Sequence, residues 1–294
     1  MSSATLGPLS LLSETWPLRE LLILNYNANL GFFEQAGLGQ ARARGARVTL
    51  ISDFDMVVSD PEATRFAGRS YLDARAICHK GGAFHPKLLV ALGSDQAAVL
   101  IGSGNTSSGG WISNAEIWTL LRANAEAAPS TLVRVADFLE ALEELVRFTA
   151  GVHEVIAEVA RGLRAFPITD EGPQMVSSAF GPIIDQLPRD SGVEQLMLSA
   201  PFFDRNANAV RELLDRFAPK HLEVVVGKEA NYEGTTLGPL IEKWQGRVSE
   251  ITSPRFHHGK VVEWVVGSTR RAVLTCRVEP SFNRWLMVEA VNLD

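Results

Sequence analysis

Short apolar runs, bounded by polar residues, divide the chain into strand and helix periods. Leu21-Leu22-Ile23-Leu24 is a continuous apolar run and predicts a buried strand, with Tyr26 and Asn27 at its end. Residues 32–43 predict a helix, and Arg47-Val48-Thr49-Leu50-Ile51 predicts the next strand. The same order returns in the second half. Gln195-Leu196-Met197-Leu198 predicts a strand, Asn208–Phe217 a helix, and Leu222-Glu223-Val224-Val225-Val226 a second strand. Strand–helix–strand units of this kind predict an α/β fold, with mainly parallel or mixed sheets flanked by helices.

Between the halves the period is helical. Leu132, Val135, Phe138, Leu139, Leu142, Leu145 and Val146 predict a helix over 130–148, and a second helix is expected over 153–163. Glu140, Glu143, Glu144 and Glu154 read as a solvated helix face. The stretch 167–173 begins and ends in proline, which gives two lobes, 1–166 and 167–294. The segments 54–82 and 229–239 precede the two most distinctive motifs and are expected to be loops that admit substrate.

Those motifs form an in-register repeat. His85-Pro86-Lys87 is followed by Gly102-Ser103-Gly104-Asn105 and then Glu116. His258-Gly259-Lys260 is followed by Thr275-Cys276-Arg277-Val278 and then Glu289. One constant offset carries His85 onto His258, Gly102 onto Thr275 and Glu116 onto Glu289, with no gap between them. A repeat of this length is a duplicated domain rather than a solenoid, whose periods are usually about 20–50 residues. Residues 84–92 read as a strand, so His85 and Lys87 would project from one face. His258 and Lys260 would do the same. The glycine turn after the strand ending in Val99-Leu100-Ile101 is expected to bring Ser103 and Asn105 near the imidazole.

A phosphodiester needs a nucleophile, an acid for the leaving oxygen, and positive charge for the equatorial oxygens. Imidazole serves as nucleophile or acid near neutral pH. Lysine supplies fixed charge, and Asn and Ser supply hydrogen bonds. Two His-x-Lys motifs meeting across a pseudo-twofold axis would provide all of these at one point.

At these residues the chain resembles the phospholipase D superfamily, whose signature is a pair of His-x-Lys motifs. The resemblance spans the whole chain and implies a duplicated α/β sandwich of two pseudo-symmetric lobes. His85, Lys87, Ser103, Asn105 and Asn114-x-Glu116 match closely, whereas in the second lobe Thr275-Cys276-x-Val278 replaces the Gly-Ser-x-Asn element. The family's Asp after each Lys is poorly placed: Asp95 is a loose candidate, and Ser268 occupies the equivalent position. The resemblance implies a metal-independent phosphodiesterase with no cofactor, working through a phosphohistidine. One imidazole would attack phosphorus and the other serve as general acid and base; His85 is assigned as nucleophile because its lobe retains Ser103 and Asn105, and His258 as general acid and base. Lys87, Lys260, Ser103 and Asn105 would bind phosphoryl oxygens, and Glu116 and Glu289 would hold the opposing or neighbouring imidazole. The glycine-rich run through Gly109-Gly110-Trp111 is similar to prokaryotic nuclease-like members, which implies nucleic acid as substrate and a helicase, defence-system partner or further domain.

Composition narrows this picture. The chain has 294 residues and 46% hydrophobic content, enough for a sizeable core. No apolar run approaches the roughly 18 residues of a membrane span, and no signal peptide is visible, so a cytoplasmic setting is expected. Cys78 and Cys276 form no metal set or disulfide framework. A net charge of −6 does not advertise a nucleic-acid binder, although a local basic groove can sit on an acidic protein. Trp111 and Trp118 read as packing residues, His257 as outward-facing, and His79-Lys80 as loop. Arg42, Arg44, Arg47, Arg65, Arg69 and Arg75 could edge a phosphate groove but read first as solvated. The chain stops at Asp294, shortly after Glu289, where a strand should continue, so it is expected to be part of a longer protein. Two further readings stay open: a lipid phosphodiesterase or phosphatidyltransferase, and a non-catalytic module of a larger assembly.

Overall fold

A computed structural model describes residues 7–58, 64–79, 82–275, 285–286 and 288–292; for 57–58, 275, 285–286 and 288–292 it describes the backbone. Two mixed seven-stranded sheets dominate. In the first, β1 (Glu20–Asn25), β2 (Arg47–Asp53) and β3 (Leu72–Cys78) run parallel. β4 (Leu88–Leu92), β5 (Gln96–Gly102) and β6 (Trp118–Asn124) add antiparallel neighbours on the other side of β1. β7 (Val146–Phe148) closes the edge beyond β3.

The second sheet repeats this order. After β8 (Gln174–Ser177), the strands β9 (Gln195–Ser199), β10 (His221–Gly227) and β11 (Arg247–Ile251) are parallel. β12 (Lys260–Val266), β13 (Thr269–Thr275) and β14 (Val288–Asn292) are antiparallel. The edge strand β8 pairs with β14, the opposite edge from that taken by β7. The offset of the two motifs carries β5 onto β13 end to end, Gln96 onto Thr269 and Gly102 onto Thr275. The last strand departs from it. Val99 faces Leu121, while Ala272, the equivalent of Val99, faces Asn292 rather than Asp294, the equivalent of Leu121.

The first sheet is buried on both faces. Leu22, Val90, Val99 and their row pack against α1 (Thr131–Leu145) and α2 (His153–Arg164). Leu21, Ile23, Leu50 and Leu100 pack beneath Leu11, Phe33 and Leu38 on the other side. The second sheet buries Leu198, Val224, Val262 and Trp264 against α3 (Asn208–Phe217) and α4 (Gly234–Lys243). Its alternate positions, Met197, Val225, Val261 and Val265, are only half-buried and are interleaved with Glu223, Glu263 and Arg270.

Four expectations change. Residues 84–92 are not one strand: Ala83–Phe84 pairs with Trp285–Leu286, residues 85–87 leave the ladder, and β4 begins at Leu88. Pro86 has no N–H to donate, so the pairing with β1 cannot run through it. The segment 54–82 holds β3 rather than only a loop. Its alternation of buried Ala74 and Ala76 with Asp73 and Arg75 is masked by small apolar residues and charges. The 130–148 helix ends at Leu145, after which Val146–Phe148 turns into an edge strand; β-branched Val146 suits that pairing. The segment 229–239 runs into α4. Residues 32–43 are helical as expected, with a π-helical turn at Glu34–Leu38 between Leu30–Phe33 and Gly39–Ala43. Among the described residues no helix is long and apolar enough to cross a membrane.

Candidate active site

The second motif is fastened to the first lobe by backbone. Ala115 N–H donates to Phe256 O at 2.8 Å, and the N–H groups of His258 and Gly259 both donate to Ala115 O, at 3.1 and 3.2 Å. Gly259 is required at this crossing, because a Cβ there would meet the Ile117 side chain at 2.5 Å. The first lobe carries Pro86 at the equivalent position.

Glu116 then joins the two lobes. Its Oε2 accepts from His258 Nδ1 at 2.9 Å and from Ser103 Oγ at 2.5 Å, and its Oε1 accepts from Asn114 Nδ2 at 3.1 Å. Burial alone would raise this carboxyl, but the hydrogen bond and charge of His258, with Ser103 and Asn114, hold it below the ordinary carboxylate range. An ionised carboxylate only accepts, so the proton in this contact sits on His258 Nδ1 and leaves Nε2 for chemistry. Ser103 is fully buried, donates to Glu116, and accepts from Ile117 N at 2.9 Å. Its hydroxyl is thereby engaged with Glu116 and the Ile117 N–H. The reason is the turn: Cβ atoms on Gly102 and Gly104 would strike the Trp118 ring at 2.4 and 2.7 Å, so the chain folds flat under that indole and aims Ser103 inward.

His85 and Lys87 meet although they are not on a strand. Lys87 Nζ lies 2.9 Å from His85 Nδ1 and 3.2 Å from Nε2, and also donates to His85 O at 3.3 Å. The ammonium thus lies against both ring nitrogens at once. Tyr26 packs its ring 4.3 Å from the imidazole, with the Lys87 ammonium 5.4 Å from the same ring. In the second lobe Lys260 Nζ donates to His258 O at 2.7 Å. Both lysines are buried, at 1% and 3% exposure. Asn105 Oδ1 faces Asn27 N at 3.4 Å, which leaves its NH2 as the donor end.

Sequence reasoning misses two supports. Asp53 Oδ2 accepts from Phe84 N at 2.6 Å, pinning the residue before His85, and burial raises its carboxyl above the usual range. Tyr26 reads from the sequence as a strand end without a role. Both lie at the carboxyl ends of parallel strands β1 and β2, where ligands gather in open α/β sheets, and that position is the available signal.

Other candidates fall elsewhere. Asp95 lies in the exposed hairpin turn between β4 and β5, at the far end of β4 from His85. His257 does not face outward: its Nε2 is 3.2 Å from Ser199 Oγ, and burial, then Lys260, lowers its imidazole below the ordinary value. Arg44 donates to Trp16 O and Leu11 O, Arg47 pairs with Glu20 and Glu158, and Arg75 pairs with Asp73, so these three hold structure rather than edge a groove. Burial pushes the free Cys78 thiol up to about 11, which leaves it unreactive. Trp111 packs edge-on to Phe32 and Phe33. Glu289 lies on β14, opposite Val176, with only its backbone described. Lys80, Cys276, Arg277 and Val278 lie outside the described residues.

No protein-family model matches the sequence, and no curated protein matches it. Solved structures do match. The yeast tyrosyl-DNA phosphodiesterase superposes with a TM-score of 0.64 at 11% identity, over 96% of this chain and 85% of that one. Phosphatidylserine synthase from Haemophilus influenzae Rd KW20 gives 0.60 at 11% identity, over 98% and 79%. Polyphosphate kinase from Porphyromonas gingivalis gives 0.53 at 12% identity, over 98% and 45%. At these identities the likeness is one of fold: the chain shares the fold of these structures, the α/β fold that the resemblance to the phospholipase D superfamily implies.

Proposed function

We propose that the chain is a metal-independent phosphodiesterase that cleaves DNA or RNA through a phosphohistidine, in a prokaryotic defence or nucleic-acid-processing setting, with lobes 1–166 and 167–294 sharing one site. The observation that carries this reading is the Glu116–His258 bond, which reaches from the first motif's lobe to the second motif. The unlike surroundings of the two imidazoles support unlike roles. A His85 nitrogen attacks phosphorus, and the bond from phosphorus to the leaving oxygen breaks. His258 gives its Nε2 proton to that oxygen. It then takes a proton from water, the water oxygen attacks phosphorus, and the P–N bond breaks to free His85. Lys87, Lys260 and the Asn105 amide neutralise and orient the phosphoryl oxygens. Ser103 and Glu116 act through His258 as positioning residues, and Glu289 is assigned the equivalent task toward His85. The lysines supply the positive charge that many nucleases take from a metal. Nucleic acid is favoured as substrate by the name of the yeast phosphodiesterase, with which this chain shares its fold.

The test is cleavage of labelled oligonucleotides in excess EDTA at low salt, where phosphate contacts are strongest. Cutting should persist, and should vanish in both His85→Ala and His258→Ala. Label should remain covalently on His258→Ala but not on His85→Ala. Cutting that requires a metal, or survives loss of either His, would sink the mechanism. Phospholipid hydrolysis without nucleic-acid cleavage would replace the substrate.

A further inference from the structure

The two lobes differ at the carboxyl ends of their parallel strands. In the first lobe Tyr26, after β1, packs on His85, and Asp53, at the end of β2, reaches Phe84. Matching β1 to β9 and β2 to β10 by their pairing puts Pro201 in the place of Tyr26 and Gly227 in the place of Asp53. Both side chains are cut back there, and a cavity of about 200 Å³ opens between the loops after β9, β10 and β11. Pro201, Gly227, Phe256 and His257 line it, with Lys228 and Arg255 as exposed cations against a single acid, Glu229.

Phe256 lines the cavity, and Phe202, outside the lining, stands beside Phe256 at its edge. Phe202 is 46% exposed and lies 6.3 Å, ring to ring, from Phe256. Phe256 in turn lies 5.8 Å from the His258 imidazole, tilted by 31°. The cavity is below the roughly 300–1,000 Å³ that encloses a drug-sized ligand, so its scale suits one flat ring. Aromatic walls accept any base because every base has a π-face, and flanking cations attract the phosphates on either side. A paired, stacked base could not enter without leaving its duplex.

We propose that this cavity is a subsite for one unpaired nucleobase, next to the scissile phosphate on the His258 side, so that the site selects single strands. The proposal rests on the nuclease reading above. With His258 as the acid, the base held here belongs to the leaving-group nucleotide.

The test separates binding from cutting. A fluorescent single-stranded oligonucleotide is titrated against His85→Ala protein at low salt. Adding Phe202→Ala or Phe256→Ala should weaken binding by roughly tenfold, the scale of one lost stacked base. Phe202→Trp should keep the affinity, and the duplex of the same sequence should bind more weakly than the single strand. An abasic nucleotide moved along the strand should cost affinity at one position. At that position the Phe202→Ala loss should shrink, because both changes remove the same contact. The abasic scan leaves every side chain in place, so it reads the cavity even where a loop variant fails to fold. Equal affinity for all abasic strands, or no effect of either Phe variant in a protein of unchanged melting temperature, overturns the subsite and leaves the cutting mechanism standing. Phe202-dependent binding without His-dependent cutting overturns the nuclease reading instead.

Discussion

Six strands of each sheet keep one order, yet the first sheet is buried on both faces, whereas the second leaves most of one face half-buried or exposed, apart from Met175 at its edge. The rows that differ are equivalent positions. Leu22, Ile51, Leu88, Val90 and Ala97 of the first sheet lie beneath or beside α1 and α2. Met197, Val225, Val261, Glu263 and Arg270, in that order, hold the same places in the second and are half-buried or exposed. Strand order is thus kept by pairing and by the helix-covered face, while the other face follows whatever lies against it. Where that side of the second sheet lies away from Met175, which packs into the core beneath α1, it carries glutamate and arginine where its twin carries valine and alanine. The same contrast runs through the site: one imidazole lies against a lysine and a tyrosine, the other is held by a carboxylate from the opposite lobe.

The largest effect should come from exchanging the two environments. Val90 is fully buried, and Glu263, its equivalent in the second sheet, pairs with Arg270 at the surface. Val90→Glu places a carboxylate without a partner in an apolar core and should cost about 4–5 kcal/mol or more, enough to prevent folding of a marginally stable chain. Glu263→Val removes only an exposed pair and should change stability by about 0.5 kcal/mol or less. Thermal melts of the soluble variants check this; where Val90→Glu yields no folded protein, Val90→Thr should still lose about 1–3 kcal/mol. Similar losses at both positions would mean the second face is covered as closely as the first.

Next in size is the link between the lobes. Glu116→Gln should lower turnover by about 10²–10³ with little change in binding, because it removes the charge that orients His258. Ser103 acts through the same carboxylate, so Ser103→Ala should add little on top of Glu116→Gln. Independent, multiplying losses would place Ser103 on the phosphoryl group after all. Glu116 also links stability to pH. Its folded carboxyl is held down, so the contribution is present above the ordinary carboxylate value and is lost as pH falls through the lowered one. In Glu116→Gln that acid loss should be smaller.

Much of the fold is legible in the sequence because it rests on periodicity and repetition. The strand runs at 21–24, 47–51, 195–198 and 222–226 and the helix Asn208–Phe217 are where apolar spacing puts them. The register of the two motifs also matches β5 to β13. What stays hidden depends on tertiary partners. β3 carries its buried face on Ala74 and Ala76, which are too small to stand out between Asp73 and Arg75. The residues 85–87 leave the ladder at Pro86, a local signal that the strand-like pattern on either side outweighs. In the site, the residue types can be read from the repeat, whereas the choice of Glu116 between the neighbouring and the opposing imidazole cannot, since it is made by the crossing at Ala115. The inward turn of Ser103 cannot, since it follows from Trp118 lying over two glycines. Asp53 and Tyr26 carry no motif, and only the parallel strands they end reveal them.

The smallest effect tests the cavity side of the comparison. His257 has no histidine counterpart in the first lobe, where Phe84 stands at the equivalent position. Its imidazole is lowered by burial and by Lys260, and its Nε2 meets Ser199 Oγ. A histidine whose folded value lies below its unfolded one binds fewer protons in the native state. Stability should therefore rise with pH through the window between the lowered value and the ordinary 6.5, and fall as pH drops through it. Urea midpoints of the native chain should decline from neutral pH to below that window. His257→Gln keeps a hydrogen-bonding group beside Ser199 but cannot titrate, so its midpoints should decline less over the same range. An identical decline in both proteins would assign the acid sensitivity to the carboxylates, Glu116 among them, and leave His257 with a packing role alone.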